Sequence, residues 1–137
     1  MSEYEAHRIM PALPEQVFDE ASDLHTMERW LPRDLHIESP RRPPAVIVSH
    51  GEQGARENVV VRAEYDRLRL EWGTPDSGRY AGWLQVAGLD SGASEVTVHL
   101  SFFDPESAPP SRDVEMALGR SLDLLAEQVK LRAGYPA

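Results

Sequence analysis

With no cysteine present, five histidines, four tyrosines and 23 carboxylates are the first candidates for proton transfer and metal binding. That absence removes disulfides, thiolate nucleophiles, zinc ribbons and iron–sulfur clusters together. The histidines, His7, His25, His36, His50 and His99, form no HxH or HExxH pair. His36 and Glu38 stand two apart, on one face of a strand, but two ligands without a third make a poor metal site. No metal is expected. His50 ends a β-branched run just before Gly51, and histidine is the commonest general base, so it is one candidate for moving a proton. Tyr80 is the other. It shares the parity of Leu84 and Val86, and a phenol among apolar side chains needs a partner or a polar ligand. Acid pairs such as Asp19 and Glu20 read as the wet side of an amphipathic helix, not as a glycosidase dyad. Gly51-Glu52-Gln53-Gly54 lacks the basic neighbours of a nucleic-acid clamp and reads as a turn. There is no GxSxG, P-loop or GxGxxG, and no cofactor is implied.

The large aromatic side chains are the other candidates. Trp30 and Trp72 suit either a packed core or the wall of a ligand cavity, where a flat apolar face meets a ring-shaped ligand. Trp83 has the parity of a wet sheet face and reads as an amphipathic surface residue.

The elements that must position these residues lie between the 11 prolines, since proline is disfavoured inside helices and central strands. Residues 3–10 read as a short strand. Pro14 suits the first position of a helix carrying Val17, Ala21 and Leu24. Asp23 can cap a second short helix with Met27, Trp30 and Leu31 before Pro32. From about 34 to 103 the period becomes two. Strands are expected near 34–38, 45–50, 58–65, 68–72, 79–87 and 95–103, with turns at Asp66-Arg67 and Asp90-Ser91-Gly92. Short connections imply antiparallel pairing. Leu68, Leu70, Trp72, Leu84, Val86, Val96, Val98, Leu100 and Phe102 form a dry face. Arg69, Glu71, Gln85, Thr97, His99 and Ser101 form a wet one. Gly82 reads as a bulge or bend, and Gly119 as room for close helix approach or for a ligand. A helix over 111–132, about 31 Å long, carries the stripe Val114, Leu118, Leu122, Leu125 and Val129 that covers the dry face.

Length and charge bound the rest. A chain of 137 residues is one domain, spanning 1–137, and folding buries ~70% of its unfolded surface. The hydrophobic fraction of 41% and charged fraction of 27% are those of a globular protein. The net charge of −9 repels phosphate, so no nucleic-acid partner is expected. The acidic start lacks the pattern of a secretory segment, and no apolar run approaches the ~20 residues of a membrane span. A cytoplasmic protein without membrane insertion is expected.

The order β-α-α-β-β-β-β-β-β-α with a long final helix resembles the START/SRPBCC superfamily, the helix-grip fold, and most closely its polyketide cyclase/dehydrase branch. Three stretches carry the resemblance. They are Ala12 to Asp19 with Asp23-Leu24 and Trp30-Leu31-Pro32, Leu70 to Gly73 through Tyr80 to Trp83, and Ser94 to Val98 leading into Ser121 to Leu125. The resemblance implies an α+β fold: a curved antiparallel sheet of six to seven strands around the C-terminal helix, with two short helices after strand 1. It also implies a cavity between sheet and helix that takes a small hydrophobic molecule, such as a lipid, isoprenoid or polyketide-like ring compound. Trp30, Leu70, Trp72, Tyr80, Leu84, Leu118 and Leu122 would line it. The alternative is a polyketide aromatase/cyclase or dehydratase working in the same cavity, with Tyr80 and His50 as proton-moving candidates. Whether the chain is a monomer or a homodimer is open. Because cysteine is absent and the histidines are scattered, EDTA should leave the melting temperature unchanged; a drop of several degrees would reveal a metal site.

Overall fold

A computed structural model describes residues 2–30, 36–39, 45–50, 55–74, 78, 80–104 and 110–132; for Leu24, His25, Glu28 and residues 36–60 the description is of backbone alone. The elements run β1 (Ser2–Met10), α1 (Pro14–Ala21), α2 (Leu24–Trp30), β2 (His36–Ser39), β3 (Ala45–His50), β4 (Ala55–Glu64), β5 (Arg69–Gly73), β6 (Tyr80–Gly88), β7 (Ser94–Phe102) and α3 (Ser111–Arg132). This is the expected order. Pro32, the Pro40–Pro44 connector, the Gly51–Gly54 turn and the side chains of His36, Glu38 and His50 lie outside what is described.

The strands form one seven-stranded sheet in the order β1-β7-β6-β5-β4-β3-β2, with every pair antiparallel. From β2 to β7 each strand pairs with its successor, as the short turns dictate. The β4–β5 turn is closed by Leu68, whose φ of 53° is left-handed and which donates its N–H to the Tyr65 carbonyl. Gln85 on β6 braces that turn through its amide, which donates to the Arg67 carbonyl at 2.7 Å. The β6–β7 turn closes at Gly92, φ 81°, where the backbone conformation favours glycine. β1 is the non-local element. It pairs along its whole length with β7, from Ser2 opposite Phe102 to Met10 opposite Ser94.

Burial alternates along β5, β6 and β7, with Leu70, Trp72, Leu84, Val86, Val96, Val98 and Leu100 inside. Ser101, expected on the wet face, is buried. It is small and sits between Glu3 on β1 and Ala81 on β6, with its hydroxyl 3.5 Å from a carboxylate oxygen of the longer Glu3 side chain. Gly82 makes no bulge. It stands in regular register opposite Trp72, and a Cβ built there would lie 2.6 Å from the Trp72 indole. The missing side chain is the space in which that ring lies. Gly119 is exposed on α3, and a Cβ there would meet nothing within 4 Å, so it serves neither close packing nor a ligand.

The helices close the dry face. Pro14 opens α1, and Gln16 accepts the Leu13 N–H through its side-chain oxygen at 3.1 Å. Val17 and Phe18 are buried on one side of α1. α1 ends at Ala21, where Ser22 donates both its N–H and its hydroxyl to the Phe18 carbonyl. Glu20 departs from the solvated role expected of it. It is 6% exposed, accepts the Thr26 hydroxyl at 2.8 Å and pairs with Arg132 of α3 at 3.4 Å. Arg132 also lies 3.9 Å from Asp23, so one guanidinium ties the end of α3 to the α1–α2 corner. At the other end Tyr4 and Ser111 join their hydroxyls at 2.8 Å, and midway Arg8 pairs with Asp123. α3 packs most closely on β1, α2 and α1.

The two interior glycines give opposite expectations. Gly82→Ala should cost ~1–3 kcal/mol, because the added methyl overpacks against the Trp72 ring. Gly119→Ala should add ~0.5–1 kcal/mol of stability, because it removes backbone freedom from the unfolded chain at an open helical position. Urea denaturation measures both. An unchanged or raised midpoint for Gly82→Ala would show that Trp72 does not need the space.

Candidate functional site

The dry face carries a row of aromatic rings, which begins at the Trp72–Gly82 contact. With its ring laid over Gly82, Trp72 donates its indole N–H to the Tyr80 hydroxyl oxygen at 3.0 Å, and this bond is buried. Trp30 meets Trp72 edge to face, with centroids 6.2 Å apart and planes at 71°. On the other side Tyr80 lies 5.1 Å from Phe102, and Phe102 lies 6.0 Å from Tyr4 in a T-shaped contact. The row crosses from α2 through β5 and β6 to β7 and β1. Such contacts add ~0.5–1.5 kcal/mol each beyond area burial.

A cleft of about 340 Å³ opens beside the row, within the lower range of small-molecule sites. Trp72 and Tyr80 line it, together with Gly73, Thr74, Gly78 and Phe103 from the strand ends, and Arg62, Glu71 and Ala81 from the neighbouring positions. Its floor is held by Thr74. The Thr74 hydroxyl accepts the Tyr80 N–H at 3.2 Å, and the Thr74 N–H donates to the Tyr80 carbonyl at 3.0 Å. These bonds fix the start of β6, and with it the direction in which the Tyr80 ring leaves the strand.

Trp30, Leu70, Trp72, Tyr80, Leu84, Leu118 and Leu122 are all buried, and all belong to one hydrophobic cluster. Trp72 and Tyr80 alone among the seven line the cleft. Trp30, at 1% exposure, has an indole N–H with no hydrogen-bond partner among the described residues. A buried unsatisfied donor costs ~1–3 kcal/mol. Phe102 and Tyr4 extend the row and were not singled out from the sequence as ligand-binding; their place depends on the β1–β7 register, which local spacing does not reveal. The backbone puts His50 at the end of β3, opposite Ala55.

The outer face carries a separate polar stack. Trp83 lies parallel to His99, with ring centroids 5.1 Å apart, and Arg69 sits 4.6 Å over the Trp83 ring. His99 reaches Glu5 at 3.1 Å and Glu3 at 3.3 Å. Trp83 thus has the amphipathic surface role its parity implied. Among the described residues no group of three or more His, Asp or Glu side chains could hold a metal ion. No described helix is long and apolar enough to cross a membrane.

The Trp72–Tyr80 bond is open to a direct test. Tyr80→Phe keeps the ring and strands the Trp72 N–H in a buried setting, so it should lower stability by ~1–3 kcal/mol. Adding Trp72→Phe to that variant should cost less than Trp72→Phe alone, in a double-mutant cycle read by denaturant unfolding. Strict additivity would mean that the bond contributes nothing.

Comparison with known proteins gives a family and a fold. The model of the family described as "Polyketide cyclase / dehydrase and lipid transport" matches residues 1–131. The search of curated proteins finds no match. Among solved structures, the protein TTHA0849 from Thermus thermophilus is similar over 97% of this chain and 99% of its own, at 20% identity and a TM-score of 0.69. The di-domain ARO/CYC BexL from the BE-7585A biosynthetic pathway is similar at 14% identity and a TM-score of 0.73. There the match covers 98% of this chain and 48% of the other, about half of the di-domain protein. Ara h 8.0201 matches at 14% identity and a TM-score of 0.59, over 94% of this chain and 95% of its own. At these identities the structures speak for the fold, and it is the fold expected from the order of elements. With the family model spanning nearly the whole sequence, the chain belongs to the polyketide cyclase/dehydrase and lipid transport family.

Proposed function

We propose that the protein is an intracellular carrier or sensor for a small hydrophobic molecule, held between the dry sheet face and α3 against the aromatic row. The observation that carries this reading is that Trp72 and Tyr80 belong at once to the buried cluster and to the wall of the open cleft. A ligand entering there would meet the flat rings of Trp72 and Tyr80 at once.

The enzymatic alternative, an aromatase/cyclase or dehydratase as in the ARO/CYC neighbours, would need a proton-moving group in the same space. Tyr80 is the described candidate, and its oxygen is engaged by Trp72. His50 is known here by backbone position alone. The binding reading asks nothing of either group beyond shape, so it is preferred.

Leu122 on α3 is buried at 3% exposure and supplies the test. Leu122→Trp should abolish binding of the neutral probe 1-aminoanthracene, followed by its fluorescence and by tryptophan quenching. If the added ring fills a ligand space, stability should change by less than ~1 kcal/mol; in a solidly packed region the same change overpacks and costs ~1–3 kcal/mol. A destabilised variant, together with no probe binding by the parent, would overturn the carrier reading.

A further inference from the structure

Among the described residues, two buried side-chain polar atoms have no hydrogen-bond partner, Trp30 Nε1 and Gln128 Oε1. Trp30 is the more telling, because a chemically identical group lies beside it with its need met. Trp72, 6.2 Å away, donates to Tyr80. Trp30 is 1% exposed, so bulk water does not serve its N–H. An indole N–H is a donor only, and what satisfies it must be an acceptor. It therefore belongs to the buried polar groups that call for a specific explanation. Its ring is edge-on to Trp72, and Trp72 lines the cleft.

We propose that Trp30 Nε1 is the specificity-determining donor of this site, and that the ligand it selects is an uncharged ring compound bearing a carbonyl oxygen. The inference rests on the reading that the site binds small apolar molecules, and it adds which of them. Rings are favoured because the cleft wall carries Trp72 and Tyr80, with Trp30 and Phe102 packed against them. An uncharged ligand is favoured because Trp72 and Tyr80, the buried aromatic part of the wall, carry no charge, and the rim holds both signs in Arg62 and Glu71. A carbonyl is favoured over a hydroxyl because it accepts without bringing a second donor that would itself need a buried partner. A site built to hydrogen-bond its ligand rejects the analogue that lacks the group, since the protein donor is then left unpaired.

Fluorene and 9-fluorenone make the test, because they share one ring skeleton and differ at a single carbon, methylene or carbonyl. Without a donor in the site, the hydrophobic effect alone would favour the hydrocarbon. Titrations followed by tryptophan fluorescence should show fluorenone binding about tenfold or more tightly than fluorene. In Trp30→Phe the ratio should fall to near one or reverse, whatever the change in absolute affinity for either compound. In the unaltered protein, the Trp30 Nε1–H resonance in a nitrogen–proton NMR spectrum should move downfield with fluorenone and stay with fluorene. That reading decides the matter even if Trp30→Phe folds poorly. Equal affinities, a preference that survives in Trp30→Phe, or a Trp30 resonance indifferent to fluorenone would overturn the donor role while leaving the carrier reading intact. Binding of neither compound would overturn both.

Discussion

The contact between Trp72 and Gly82 is the constraint on which the inner face depends. An indole on the middle of a sheet has to lie somewhere, and the position directly across the ladder is the nearest surface. There the Cβ of any other residue would stand 2.6 Å from the ring. Glycine inside a strand gives up packing and costs backbone entropy. The return is orientation. Laid flat over β6, the Trp72 ring brings its N–H to Tyr80 and presents itself to Trp30 edge to face. The Tyr80 ring then meets Phe102, and Phe102 meets Tyr4, so one missing side chain aligns aromatic residues from α2 to β1.

The long helix is held first by its buried stripe, Val114, Leu118, Leu122, Leu125 and Val129, and polar contacts fix its ends. The contacts at its two ends and middle are polar: Tyr4 with Ser111, Arg8 with Asp123, and Arg132 with Glu20 and Asp23. Exposed ion pairs contribute little, typically ~0–1 kcal/mol. Glu20 differs because it is buried and has both Thr26 and Arg132 as partners; losing either would leave a charge or hydroxyl short of a bond in a dry place. This clamp joins α3 to the α1–α2 corner, and Trp30 lies at the end of α2. The position of Trp30 is therefore tied to the C-terminal end of α3 through Glu20, as well as to the sheet through Trp72.

Much of this fold is legible in the sequence because local signals agree. Alternation over 68–72, 79–87 and 95–103 puts Leu70, Trp72, Leu84 and Leu100 inside, where they are found. Pro14, Asp90-Ser91-Gly92 and the stripe from Val114 to Val129 mark a helix start, a turn and a covering helix, and each is in place. What escapes the sequence lies across strands or between elements. Ser101 is buried by Glu3, 98 residues away in sequence. Glu20 looks solvated until Arg132 arrives from the last turn of α3. Gly82 suggests a bend until the register sets it opposite Trp72. Of the seven residues expected to line a cavity, all are buried, but parity cannot say which of them reach the cleft, because that depends on where β5 and β6 end. Trp72 and Tyr80 reach it because they flank the loop that joins those two strands.

The two inner tryptophans show how one residue type divides between architecture and recognition. Apolar lining supplies affinity with little discrimination, since an added or missing methylene changes binding by only ~1–3 kcal/mol. Discrimination needs polar atoms placed where water is absent. On this face the Trp72 N–H is spent within the protein, on Tyr80, and its geometry is fixed by Gly82 and by the Thr74 bonds that set the start of β6. The Trp30 N–H is as deeply buried and has no partner among the described residues. The first arrangement makes the wall rigid. On the proposed reading, the second leaves one ring behind that wall a donor that an incoming acceptor can claim.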